Sequence, residues 1–353
     1  MHRPVSNPPN PWTRASGGYE VDWLGEPPPA AVQVYEEDAR DVLAQNDSPD
    51  VPFRFSVNPY RGCQHACAYC YARPGHQHLG FGAGTDFDTR IVVKRNAPER
   101  LRVAFARRSW RRAWVAFSGV TDAYQPLEAS YELTRGCLEA CLDFSTPVGV
   151  ITKSALVRRD AALLGRIAER AGARVFLSIP FADAAMARAI EPWAPTPAMR
   201  FEALRVLSEA GVPTGVSVAP LVPGLNDSQV PEILDRARAA GASRAFTILL
   251  RLPAEVRPVF IERLTAAYPD RAKKVLAALE EARSGQAAPS AFGDRMRGSG
   301  PRWQLARDLF DLNCKRFGLE TSREDEIEPL VPREPTGLID TESPRGTQGL
   351  LFE

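Results

Sequence analysis

From about residue 53, apolar and polar positions alternate between two periods. "FRFSVN" (53–58) has the two-residue alternation of a short strand. A helical period follows over 97–110. "AWVAFSG" (113–119) is a short apolar run closed by glycine, which predicts a buried strand. Residues 128–144 return to helical spacing, and "VGVIT" (148–152) reads as a strand. "RDAALLGRIAERAG" (159–172) predicts a helix with an early Asp and a final Gly. "ARVFLSI" (173–179) is a strand, and "TPAMRFEALRVLSEAG" (196–211) a helix opened by a Thr cap and a Pro. "TGVSVAPLVPG" (214–224) predicts a strand stopped by Pro220. "DSQVPEILDRARAAG" (227–241) is a helix, and "SRAFTILLRL" (243–252) a strand.

Six strand–helix pairs whose strands are apolar on both faces imply a parallel sheet with right-handed crossovers, an α/β fold. Six units are too few for a closed eightfold barrel. Periodicity alone leaves a partial barrel and an open doubly wound sheet equally open. Either architecture places ligands at the C-terminal ends of the strands. There lie a cysteine-bearing loop, "SGVTDAYQPLE" (118–128), "TKS" (152–154), "SIPF" (178–181) and "APLVPGLND" (219–227). Loops are polar by default, but that does not explain why three thiols share this end.

Residues 1–50 are rich in Pro, Gly and acids and predict an irregular N-terminal arm. Residues 51–285 would form the repeating unit. Residues 286–353 would be an extension with one helix (302–316) and a flexible tail. Composition is that of a globular protein, 44% hydrophobic and 25% charged. A net charge of +1 provides no global field for nucleic acid. The segment "RLRVAFARRSWRRAW" (100–114) interleaves six arginines with two tryptophans. It reads as a solvated helix face with its apolar side on the sheet, with nucleic-acid binding as the second reading. The N-terminal residues lack an apolar signal core, and no apolar run is long enough for a bilayer. A cytoplasmic location is expected.

The candidate chemistry lies in "NPYRGCQHACAYCYARPGH" (58–76), where Cys63, Cys67 and Cys70 fall within eight residues. Such clustered thiols indicate metal or redox chemistry rather than a disulfide scaffold. A zinc site would need a fourth ligand such as His65, His76 or His78, and no second CxxC pair exists. An iron–sulfur cube normally takes four cysteines, so three leave one iron open. Arg61, Arg73 and the backbone NH groups of Gly62 and Ala68 are candidate donors to an anionic cluster. Taken singly, each arginine reads as a solvated side chain. Cys137 and Cys141 share one helix face and read as packing residues, as does Cys314.

CxxxCxxC with Tyr69 before its last cysteine, on the loop after the first strand, resembles the radical SAM superfamily. "TDAYQPLE", "TKS", "RD" and "APLVPGLND" are similar to its spore photoproduct lyase-related (DNA repair photolyase-like) branch. The likeness runs over roughly residues 48–300. It implies a partial (β/α)6 barrel and two cofactors, a [4Fe–4S] cluster and S-adenosylmethionine (SAM). Cys63, Cys67 and Cys70 would be the catalytic cluster ligands, with SAM chelating the fourth iron. Tyr69 would lie beside adenine. Ser118 and Gly119 would meet the methionine amino group, with Thr121 and Asp122 at the mouth. Lys153 and Ser178 would contact the carboxylate or ribose, and Val218 would pack on adenine. The implied reaction is reductive SAM cleavage to a 5′-deoxyadenosyl radical, fed by a reductant such as flavodoxin or ferredoxin. The substrate would be a nucleic acid or another macromolecule. The lyase's cysteine hydrogen donor falls here at Gly119-Val120, so its reaction is not expected. Two other classes compete: a non-catalytic iron–sulfur redox or sensor protein, and a zinc-stabilised nucleic-acid-binding domain. Neither explains residues on strands two to four.

Overall fold

The computed structural model describes residues 3–5 (backbone only), 32–48, 53–117, 119–253, 255–283 and 298–321. Its main sheet contains β1 (Phe55–Val57), β2 (Val115–Phe117), β3 (Val148–Thr152), β4 (Ala173–Ser178), β5 (Thr214–Leu221) and β6 (Arg244–Leu249). Each pairs in parallel with its predecessor, in unbroken chain order. A doubly wound sheet reverses its order at a switch point. A run from first to sixth without reversal is instead the arc of a (β/α) barrel, so the order of pairing decides what periodicity left open.

The covering helices are α1 (Ala97–Phe105), α2 (Leu133–Asp143), α3 (Ala161–Arg170), α4 (Ala184–Ile190), α5 (Pro197–Glu209) and α6 (Val230–Ala239). Helices α7 (Val256–Ala267), α8 (Pro269–Ala282) and α9 (Pro301–Phe317) follow. Strand residues Val150, Val175, Leu177 and Val216 share one core with Leu138, Leu164, Leu204 and Ile233 of the helices. Thr196 caps α5 by accepting from the Met199 amide, with Pro197 in the first turn. Gly215 lets β4 and β5 approach, because a Cβ there would lie 2.3 Å from the Phe176 ring.

Several expectations are corrected. Residues 32–48 are not without core elements. Gln33–Glu36 pairs in parallel with Arg90–Val93, and Leu43–Gln45 adds an antiparallel strand beside β1. Val34, Ala39 and Val42 are buried. Segments of three or four residues are too short to show a period. Helix α1 stops at Phe105 rather than 110, because Trp110 folds back to stack on Phe105 at 4.8 Å and to donate to Thr146 Oγ1. Arg107, Arg108, Arg111 and Arg112 therefore lie on an exposed loop rather than a helix face. Strand β5 continues through Pro220, past a cis Ala219–Pro220 bond, to Leu221. A register shift against β6 between Val218 and Leu221 accommodates the missing N–H. The expected C-terminal helix is α9, closed by Gly318 at φ 65°, and Glu320–Thr321 then pairs with β6. The expected flexible tail lies outside the described residues. Among the described residues, no helix is long and apolar enough to cross a membrane.

Candidate active site

The cysteine loop leaves the two-residue strand Tyr60–Arg61 through Gly62, which has φ 77°. A Cβ there would lie 2.9 Å from the Phe87 carbonyl oxygen, so the position requires glycine on two counts. The Gly62 carbonyl accepts from Thr121 Oγ1 (2.6 Å) and Gln125 Nε2 (3.2 Å). The Gln64 amide donates to Gln125 Oε1, and Gln64 Oε1 accepts from the Leu127 amide. The "TDAYQPL" segment thus straps the start of the loop. Farther along, the Cys63 amide donates to the Phe87 carbonyl, and the Ala68 amide to the Ile190 carbonyl.

Arg73, expected as a solvated residue, is 1% exposed. Its Nε and Nη2 donate to the Cys67 carbonyl at 3.1 and 2.9 Å. Nη1 reaches the carbonyls of Ala83 and Gly84, and Nη2 also meets Asp88 Oδ1 at 2.9 Å. The arginine therefore acts on the loop's backbone. Arg61 is half-buried.

Cys63 and Cys67 are buried, Cys70 is half-buried, and all three are free thiols. Burial, then the Cys63 thiol, pushes Cys70 up to about 11 against Arg73. Burial, Glu191 and the two other thiols raise Cys67 against Lys153. The sulfurs sense one another in a dry loop, where thiolates form only with a cation to balance them. That donor set suits a cube, which takes one thiolate per corner. A single zinc ion suits it poorly. Among the described residues, no three His, Cys, Asp or Glu side chains gather closely enough for one ion. His65 Nδ1 is 3.4 Å from Asp122 Oδ2, the His76 ring packs on Phe81 and Phe87, and His78 is exposed.

A second group converges from the strand ends. Asp122 accepts from Thr152 Oγ1 (2.6 Å) and the Lys153 amide (2.8 Å), joining the mouth of β2 to that of β3. Lys153 Nζ donates to Ser178 Oγ at 2.8 Å and lies 5.5 Å from the Tyr69 ring centre. Glu191, wholly buried just after α4, accepts from the Tyr69 hydroxyl, pairs with Arg200 Nη2 at 2.5 Å, and lies 3.8 Å from Lys153 Nζ. Burial alone would raise the Glu191 carboxyl. Arg200 and then Lys153 overcome this and hold it below the usual range. Arg200 also donates to the carbonyls of Ser178 and Pro195. Burial works against a charged His65, but Cys63 and Asp122 outweigh it and raise it to about 9. His65 in turn helps hold Asp122 down at about 2 against burial.

Tyr69, Asp122, Lys153 and Ser178 therefore share one network, with Thr121 on the adjacent strap. Gly119, at φ 121°, faces open space where a side chain would begin. Ser118 lies outside the described residues. Val218 is part of the hydrophobic core, and its carbonyl accepts from Thr247 Oγ1. Sequence reasoning missed Glu191, Arg200, Gln125 and the role of Arg73. The only signal was the "QP" and "R" that accompany the motifs. Glu191 sits in "AIEPW" with no motif around it. Cys137, Cys141 and Cys314 are buried in the core, as expected.

The fold is similar to that of spore photoproduct lyase. The structure of that enzyme complexed with dinucleoside spore photoproduct aligns with TM-score 0.57 over 82% of this chain and 81% of that one, at 16% identity. The sequence model of the Radical SAM superfamily matches residues 57–237, and the chain belongs to that superfamily. Its enzymes use a [4Fe–4S] cluster and SAM, and this chain is a radical SAM enzyme. A Mycobacterium tuberculosis protein described as uncharacterised is 38% identical over 249 residues, covering 70% of this chain and 72% of its own length. The Radical SAM Nalpha-GlyT isomerase of Pseudomonas phage M6 is 24% identical over 243 residues, covering 68% of this chain and 48% of its own.

Proposed function

We propose that this enzyme cleaves SAM reductively at a cluster held by Cys63, Cys67 and Cys70, and directs the resulting radical at a nucleobase-containing substrate. A bound, reduced cluster would supply the one electron that cleaves the SAM sulfonium to methionine and a 5′-deoxyadenosyl radical. The observation that carries the reading is the convergence of the three cysteines of one loop, two of them buried, with Lys153, Ser178 and Tyr69 at one end of the strands. Lys153 would meet the SAM carboxylate, with Ser178 beside it. Tyr69 would flank the adenine, and Gly119 would leave room near the methionine amino group. Burial of this floor excludes water from the radical. Residues 51–285 would form the catalytic unit, which spans all six strands.

Two likenesses support the substrate class. One fold neighbour is complexed with a dinucleoside, and one relative is named for acting on a GlyT. The position corresponding to the lyase's thiol is Gly119-Val120, so this chain lacks that hydrogen donor and should not restore spore photoproduct. Efficient restoration in an anaerobic assay with SAM and reductant would overturn that reading.

Anaerobic reconstitution tests the assignment. About four irons per chain and 5′-deoxyadenosine formed from SAM under dithionite are expected, with both lost in Cys67→Ala. A cluster indifferent to SAM would instead favour a redox or sensor protein, and bound zinc without iron a zinc domain. A Cys67→Ala protein that keeps its iron and cleaves SAM would refute the ligand set.

A further inference from the structure

We infer that Glu191 is a positioning residue for SAM, an inference that rests on the proposed function. Its carboxylate is wholly buried and touches three groups from three parts of the fold: Tyr69 in the cysteine loop, Lys153 at the end of β3 and Arg200 in α5. The Arg200 contact is the close one, at 2.5 Å, and Arg200 spends its other donors on the carbonyls of Ser178 and Pro195. The Lys153 contact is looser, at 3.8 Å. Two cations face one carboxylate, so a positive charge remains over. Asp122 does not cancel it, because Asp122 accepts from the Lys153 amide and Thr152 and faces His65. The surplus belongs to Lys153, the cation that Glu191 holds less tightly. A half-buried surplus charge calls for one anionic ligand group, and a single carboxylate fits.

Glu191 therefore has two effects on the same floor. It draws the Tyr69 hydroxyl inward, which sets the ring 5.5 Å from Lys153 Nζ. It also leaves Lys153 tethered by Ser178 Oγ at 2.8 Å yet free to turn to a carboxylate. Glutamine in its place could still accept from the Tyr69 hydroxyl, but it carries no charge, so Lys153 would face Arg200 with nothing negative to hold it in position. That loss does not touch the Arg73 clamp on the cysteine loop. The deficit should appear in SAM binding and not in cluster assembly.

The test uses the full chain, reconstituted anaerobically, as wild type, Glu191→Gln and Glu191→Gln/Arg200→Met. Iron content, the electron paramagnetic resonance spectrum of the reduced cluster without SAM, and a SAM titration of that spectrum are recorded. Glu191→Gln should keep its iron and its SAM-free spectrum while the half-saturating SAM concentration rises at least about tenfold. The double variant removes the buried arginine charge that the single variant strands. It should show the same weakened SAM binding, because Lys153 still lacks the carboxylate that positions it. Wild-type SAM affinity in either variant would overturn the inference. So would loss of iron in both, since Glu191 would then serve the cluster loop or the fold. A wild-type cluster that does not respond to SAM would instead count against the proposed function itself.

Discussion

Replacing Arg73 by Met should unseat the cysteine loop. Methionine retains much of the side chain's length and apolar volume but none of its donors. Arg73 holds the Cys67 carbonyl twice, the carbonyls of Ala83 and Gly84 once each, and the Asp88 carboxylate at 2.9 Å. Removing one partner of a buried charge pair costs about 3–5 kcal/mol, and each stranded carbonyl adds to it. Relief comes from Asp88, whose carboxyl burial already raises to about 6 against Arg73. Without the arginine it can take up a proton near neutral pH and limit the loss. A net cost of about 3–5 kcal/mol at about 2 °C per kcal/mol lowers the melting temperature by about 6–10 °C. Circular dichroism of the apoprotein measures this, and iron content after reconstitution should fall in parallel. Arg73→Lys can keep the charge contact with Asp88 but cannot span both walls, so it should fall between. A Met variant with an unchanged melt and full iron would show that the clamp does not hold the loop.

Gly62→Ala should lower iron incorporation, because its backbone at φ 77° costs an L-residue about 1–2 kcal/mol and its Cβ would meet the Phe87 carbonyl oxygen at 2.9 Å. The Asp122–His65 contact predicts a pH window. Asp122, held down at about 2 from 3.8, contributes stability above its ordinary value that is lost as pH falls through the folded one. His65, raised from 6.5 to about 9, contributes stability below its ordinary value that is lost as pH rises through the folded one. The two shifts share this contact, to which Cys63 adds for His65 and the Lys153 amide and Thr152 add for Asp122. Urea unfolding of wild-type and Asp122→Asn apoprotein should differ most at about pH 5 and converge towards both extremes, whereas a pH-independent gap would refute the contact. Changing Arg107, Arg108, Arg111 and Arg112 together to Gln should leave SAM cleavage within about twofold of wild type, because their loop enters β2 at the barrel end opposite the cysteine loop. A large loss in the same 5′-deoxyadenosine assay would contradict that placement.

Much of the scaffold was legible because long elements carry their period openly. Strands β3 and β4 and helix α5 fall within a residue or two of their expected spans. The arm strands were not, since a few residues joined to a distant partner have no pattern of their own. The same holds for chemistry. A CxxxCxxC loop is a local feature, and its open valence can be counted from spacing. Glu191 meets Tyr69 across 122 residues of chain, and nothing near either one announces the meeting.

The alternating α/β order, the three thiols in one loop and the lack of a thiol at Gly119-Val120 belong to the chain alone. These depend on residue type and short spacing, which are properties of the chain. Tertiary structure decided that the sheet is a barrel arc, that Arg73 clamps a backbone rather than facing water, and that Glu191 and Arg200 underlie Tyr69 and Lys153. Those outcomes depend on which strands pair and which loops that pairing brings to one end. Where the converging ends bury a charge, it needs a partner, and the partners come from wherever the fold has carried them.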